Sequence, residues 1–149
     1  MISLAEASRS AIPFTALELR VSGVARHPDS RSADVTVELK GKNLLWLPTD
    51  NGKSTTSLIV ATASLSGRRD ILASKVENLI FSARTQDPAR LAQQLTRITV
   101  TLQVPRKTKS LRVVVETEQG GQIGTAEVDR LTLNTAPAMV TPAPRPASQ

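Results

Sequence analysis

The sequence has no cysteine and no tyrosine, one histidine, and aromatic side chains at only Phe14, Trp46 and Phe81. The missing cysteines exclude disulfides and thiolate-bound metals and leave the redox compartment open. One histidine without cysteine cannot build a zinc cluster. A Ser-His-Asp arrangement would have to use His27, which stands in the loop Arg26-His27-Pro28-Asp29-Ser30 and reads as a solvated loop residue. No run of 18 apolar residues is present, so no segment is long and apolar enough to cross a membrane as a helix. The opening MISLAEASRS lacks the basic and apolar regions of a secretory signal peptide. With so few aromatics, the core has to rest on Val, Ile, Leu and Ala, and β-branched residues favour strands.

The chain has 149 residues, enough for one domain with tails. A domain of this size buries roughly 70% of its unfolded surface and needs no covalent staple. The formal charge is +6, with ten Lys/Arg against seven Asp/Glu in residues 1–75 and nine against six in residues 76–149. The basic balance is therefore spread along the chain and is not confined to a tail.

Residues 1–12 read as a weakly ordered or short helical leader, residues 13–134 as the folded domain, and residues 135–149 as a disordered Pro/Ala-rich tail. Leu17, Leu19 and Val21 alternate with polar residues. Ala33, Val35, Val37 and Leu39 do so most cleanly. A short apolar strand is expected over Leu44–Leu47, then a turn at Asp50-Asn51-Gly52 and a strand over Thr56–Leu65. Residues 71–83 have spacing that suits a strand or a helix. A strand is expected, because a hairpin partner for the preceding run is the simpler topology. Asp87-Pro88 begins a short helix running to about Leu95, with Asp as the N-cap. Ile98–Val104 and Leu111–Val115 are strands. Ile123–Val128 is another, with Leu131-Thr132-Leu133 as a possible extension. The pattern predicts an all-β, immunoglobulin-like antiparallel sandwich of about seven to eight strands with one short helix.

The hairpin Leu111–Val128 turns at Gly120-Gly121, and Gly124 follows in the returning strand. A phosphate-binding glycine loop opens a helix. These glycines lie between two strands, so they are expected to serve positive φ. Asp29, Ser30 and Asp34 approach a metal-ion-dependent adhesion motif, but Arg31 and Ala33 occupy its serine positions. Asp50-Asn51-Gly52 lacks the spaced oxygen ligands of a calcium loop. No cofactor, metal or catalytic residue is expected, and the chain reads as a non-enzyme.

The one candidate contact set is basic. From Pro88 to Val115 there is no acid but six cations, and Arg106, Lys107, Lys109 and Arg112 cluster around one turn. Such a turn can meet a polyanion, either a nucleic acid or an anionic surface. The absence of stacking aromatics there argues against nucleic acid. Lysines and arginines also commonly guard sheet edges.

Ile98–Val104, the Pro105–Ser110 turn, Leu111-Arg112-Val113-Val114-Val115, Gly120-Gly121 and Ile123-Gly124-Thr125 together resemble the C-terminal β-sandwich region of bacterial von Willebrand factor A-related proteins. The opening Pro13–Val21 is similar too, so the likeness covers residues 13–130. The tyrosine that often precedes the Leu-Arg strand in that family is missing, as is the A domain with its metal site. The resemblance implies an accessory domain of an exported or cell-envelope protein that contacts another protein or domain. No functional residue carries over from it, and the partner and oligomeric state stay open.

Overall fold

A computed structural model of the chain describes residues 7–8, 14–27, 31–119 and 121–135. Eight strands follow in order: β1 Leu19–Arg26, β2 Ser32–Lys40, β3 Leu47–Pro48, β4 Ser54–Leu65, β5 Ile71–Ala83, β6 Leu95–Gln103, β7 Ser110–Thr117 and β8 Ile123–Asp129. Besides the helical residues 7 and 8, the described residues contain two short helices, α1 Pro88–Gln93 and α2 Arg130–Thr135.

The strands form two antiparallel sheets. One has the order β1-β2-β6. In the other, β4 pairs with β5 on one side and with β7 on the other, β7 pairs with β8, and β3 adds a short rung to the start of β4. The chain is an all-β sandwich. The three-stranded sheet matches strands A, B and E of an immunoglobulin-type fold, and β4, β7 and β8 match C, F and G. β5 stays beside β4 instead of crossing to the smaller sheet.

Alternation decides which faces meet. In β2, Ala33, Val35, Val37 and Leu39 point inward and pair with Leu102, Val100, Ile98 and Thr96 of β6. Leu58 and Val60 of β4, with Leu111, Val113 and Val115 of β7, face them from the other sheet. Each fully buried Val, Leu or Ile among them contributes about 1.5–3 kcal/mol. The outward residues of β2 bond across to β6: Glu38 meets Arg97 at 3.1 Å, and Thr36 meets Thr99 at 2.9 Å.

β7 is buried on both faces, which accounts for its unbroken apolar run. Its outward Val114 joins Ala61, Ile123 and Ala7 in a second apolar cluster, with Phe14 packed against it. The segment from Phe14 to Leu17 runs antiparallel to β8. Thr125 N donates to Phe14 O at 3.0 Å and Leu17 N to Ile123 O at 3.2 Å. A β-bridge joins Thr15 to Gly124. Gly124 is needed here because of this close approach: a Cβ there would overlap Leu17 O and lie 2.7 Å from Leu17 Cβ. Positive φ occurs at Gly121 and Gly52 and not at Gly124, so the two hairpin glycines serve different purposes. Gly120 lies outside the described residues.

Several boundaries differ from the sequence reading. Leu44–Trp46 is not strand, because a 3-10 turn at Gly41–Asn43 folds the chain back and only Leu47–Pro48 pairs. Leu131–Leu133 continues into α2 and not β8. Asp129 Oδ1 accepts from Thr132 N at 2.7 Å, capping the helix and turning the chain, and Leu133 is buried. α1 ends at Gln93, and Leu95 already belongs to β6. Of residues 1–12, only Ala7 and Ser8 are described; both are helical and buried. Residues 136–149 lie outside the described part.

Candidate functional site: the basic end of the sandwich

The register brings four chain segments to one end of the molecule. Leu65 of β4 pairs with Ser110 of β7, which pairs with Asp129 of β8, while β5 starts next to the same end of β4. Ser32 of β2 pairs with Gln103 of β6, and Val104 N donates to Arg31 O at 2.7 Å. The β4–β5 turn, the β6–β7 turn, the residue entering β2 and the start of α2 therefore share this end.

Backbone bonds fix these turns against one another. Lys109 N donates to Leu65 O at 2.7 Å, and Arg130 N donates to Lys109 O at 2.7 Å. In the β4–β5 turn, Ser66 Oγ accepts from Arg68 N at 3.3 Å and Asp70 N at 3.1 Å. Arg69 takes the left-handed conformation there, with φ 63°, an arrangement that costs a non-glycine residue about 1 kcal/mol.

Arg31, Arg68, Arg106, Lys107 and Lys109 are exposed at this end. Among the described residues the exposed acids near them are Asp70, Glu127 and Asp129; Glu127 is bonded to Arg69 and Arg112, and Asp129 to Thr132. Backbone and side-chain hydrogen bonds to Thr132 hold the Asp129 carboxyl below its ordinary pKa. Among the described residues the exposed cations of this end outnumber its exposed acids, and they are drawn from three separate stretches of sequence. The sequence reading found the three in the Pro105–Ser110 turn. Arg31 and Arg68 join them only through the sheet register, which no local pattern reveals.

Arg112 does not belong to this surface. Its side chain is 3% exposed, on the outward face of β7 beneath the N-terminal segment. Nε donates to Ala7 O at 2.7 Å, and Nη1 donates to Glu127 at 3.2 Å. Arg69 forks onto the same carboxylate at 2.6 and 3.3 Å. Burial pulls the Arg112 guanidinium below its ordinary pKa, and Glu127 partly offsets that. Burial also acts to raise Glu127, but the hydrogen bonds and charges of Arg69 and Arg112 outweigh it and hold its carboxyl below the usual range. Arg112 is therefore a structural tie between the leader, β7 and β8, and it is unable to reach an external anion. Being next to the basic turn in sequence is misleading, because β7 enters the sheet at Ser110.

His27 is half-buried and bonded: Nε2 lies 2.8 Å from Asp34 Oδ1, which also accepts from Thr101 Oγ1 at 2.6 Å. Burial alone would raise the Asp34 carboxyl, but Thr101 and His27 outweigh it and lower it. Among the described residues no hydroxyl bonds to the His27 ring, so the pair ties the β1 end to β2. No group of three His, Cys, Asp or Glu side chains suited to a metal occurs among the described residues. A groove of about 510 Å³ lies at the opposite end beside Trp46, Pro48, Pro88 and Leu91. Its one ionisable lining residue is Lys42, so it offers no acid–base pair.

Comparison of the chain with family models, curated proteins and solved structures found no match in any of the three.

Proposed function

We propose that this chain is a non-catalytic β-sandwich module that docks through its basic end onto an acidic face of another protein or domain. The observation carrying this reading is the convergence of Arg31, Arg68, Arg106, Lys107 and Lys109 at one end, where they outnumber the exposed acids among the described residues. Loops at the end of a sandwich, held by a rigid sheet, are a common place for recognition. Cations at a rim chiefly speed encounter and choose partners, and they lose influence as salt rises. The accessory-domain role is also what the resemblance to von Willebrand factor A-related proteins implies. Exported or envelope placement rests on that resemblance alone.

A polyanion such as nucleic acid is the competing ligand for the same cations. The described aromatics stand elsewhere: Phe14 beside β8, Trp46 by the groove at the opposite end and Phe81 near the end of β5. No stacking platform therefore accompanies the charge.

The experiment compares binding of a poly-glutamate peptide and of duplex DNA to the wild type and to a variant carrying Arg68→Glu, Arg106→Glu, Lys107→Glu and Lys109→Glu. Poly-glutamate binding that weakens with salt and is lost in the variant supports protein docking. Tighter, variant-sensitive binding of DNA transfers the site to nucleic acid. If the variant binds both probes as the parent does, the basic end is not a contact surface.

A further inference from the structure

β5 is the anomaly of the larger sheet. It spans 13 residues, Ile71–Ala83, and contains no proline or glycine. Among the described residues its ladder bonds go to β4 alone, along its whole length. The opposite edge of the same sheet is closed, since residues 14–17 pair along β8. Long open edges are association sites unless they are blunted. β5 also leaves large apolar side chains in water: Val76 is 60% exposed and Ile80 71%.

The charges on this edge have a specific arrangement. Lys75 and Glu77 flank Val76 and lie on one face of the strand, with Lys75 Nζ 2.8 Å from Glu77 Oε1. Two copies of β5 paired antiparallel about a two-fold axis through Val76 would set Lys75 opposite the partner's Glu77, and Glu77 opposite the partner's Lys75. In that register Ala73 also faces the partner's Leu79, Ser74 faces the partner's Asn78, and Val76 faces the partner's Val76. Moving the axis by one residue sets Lys75 opposite the partner's Lys75 or Glu77 opposite the partner's Glu77, and moving it by two sets both charges opposite apolar residues: Lys75 meets the partner's Ala73 or Phe81, and Glu77 the partner's Ile71 or Leu79. Charged side chains on an edge strand ordinarily discourage pairing. Here one register turns that deterrent into two symmetry-related opposite-charge pairs, and its neighbours do not.

We infer that the chain forms a two-fold homodimer by continuing the larger sheet from β5 of one copy to β5 of the next, with Lys75 and Glu77 fixing the register. The interface is isologous and so closes at two copies. It uses a different edge from the basic end, so either can fail without the other.

The test is mass in solution by light scattering and sedimentation. The wild type should have twice the 16.0 kDa chain mass at high concentration. Lys75→Glu or Glu77→Lys alone turns both cross-strand pairs into repulsions and should weaken the dimer about tenfold or more. The double exchange Lys75→Glu with Glu77→Lys should restore it. An equimolar mixture of the two single variants should assemble as a heterodimer, because each then presents like charges of opposite sign. Circular dichroism checks that every variant is folded, since the Lys75 and Glu77 side chains keep 47% and 39% of their surface in solvent. A wild type that stays monomeric overturns the inference, as does a ladder of higher oligomers. Single variants that dimerise normally, or a mixture that does not assemble, overturn the register.

Discussion

Gly124→Ala is the sharpest test of how the N-terminal segment is held. An added methyl would overlap Leu17 O and come 2.7 Å from Leu17 Cβ, so backbone as well as side chain must move. Nothing at the far end of a flexible side chain is available to yield. If the segment shifts slightly, the cost is that of overpacking, about 1–3 kcal/mol. If it detaches, three hydrogen bonds go: Phe14 N to Thr125 Oγ1 at 2.9 Å, Thr125 N to Phe14 O at 3.0 Å, and Leu17 N to Ile123 O at 3.2 Å. Each is worth about 1 kcal/mol net, and Leu17, fully buried, would lose about 2 kcal/mol more on exposure. The two limits bracket an expected loss of about 3 kcal/mol, equivalent to roughly a 10 °C fall in melting temperature at this chain length. Thermal and urea denaturation measure it. The matched control is Gly67→Ala, where the nearest atom to a new Cβ is Lys109 Cγ at 3.6 Å and φ is not left-handed. That change should stay within about 0.5 kcal/mol. A Gly124→Ala protein as stable as the parent, or equal losses at both glycines, would refute the close-approach argument.

Three further outcomes are expected. Thr108 is buried with no partner for its hydroxyl among the described residues, so Thr108→Val should raise stability by about 1 kcal/mol in urea denaturation. Glu127 has a folded pKa below its ordinary value, 4.5, so its stabilisation is present above that value and is lost as pH falls through the folded one. Glu127→Gln should therefore be less stable than the parent at neutral pH, and their melting temperatures should converge in acid; a constant gap would contradict the Arg69–Glu127–Arg112 tie. Gly41→Ala would drive a methyl into Leu91 O and disturb the Trp46 Nε1 bond to Gly41 O at 3.1 Å. Because Trp46 is the single tryptophan, its emission should shift red in the native state, and an unchanged spectrum would deny the packing of α1 on the Gly41 turn.

β2 was readable almost to the residue, 33–39 against the observed Ser32–Lys40, because one of its faces is buried and the other is wet. β5 was ambiguous for the opposite reason. Exposure alternates over Val76–Ala83, but Val76 and Ile80 stand on the exposed face and Lys75 and Glu77 on the face shared with Leu79 and Phe81, so residue type does not follow burial. The end of β8 was misread because Leu131 and Leu133 look like alternation. What stops the strand is the Asp129 cap on Thr132, and a leucine's spacing carries no sign of that. The role of Gly124 and the burial of Arg112 were hidden for a shared reason. Both depend on a segment more than one hundred residues earlier in sequence lying over β7 and β8. At the basic end, the turn cations were legible locally, whereas Arg31 and Arg68 needed the register of both sheets.

That clasp between the two ends of the chain has a kinetic side. Phe14 bonds to Thr125 across 111 positions, and Ala7 to Arg112 across 105. During synthesis the N-terminal segment emerges with no docking site, and it must wait while the rest of the domain is made, roughly 5–20 s at ribosomal rates. Pairings this distant in sequence are slow to form, because the entropy of closing the loop is spent before they contribute. A nascent chain stalled before β8 would lack the strand along which residues 14–17 pair, so this strand, made late, completes the docking of a segment made early.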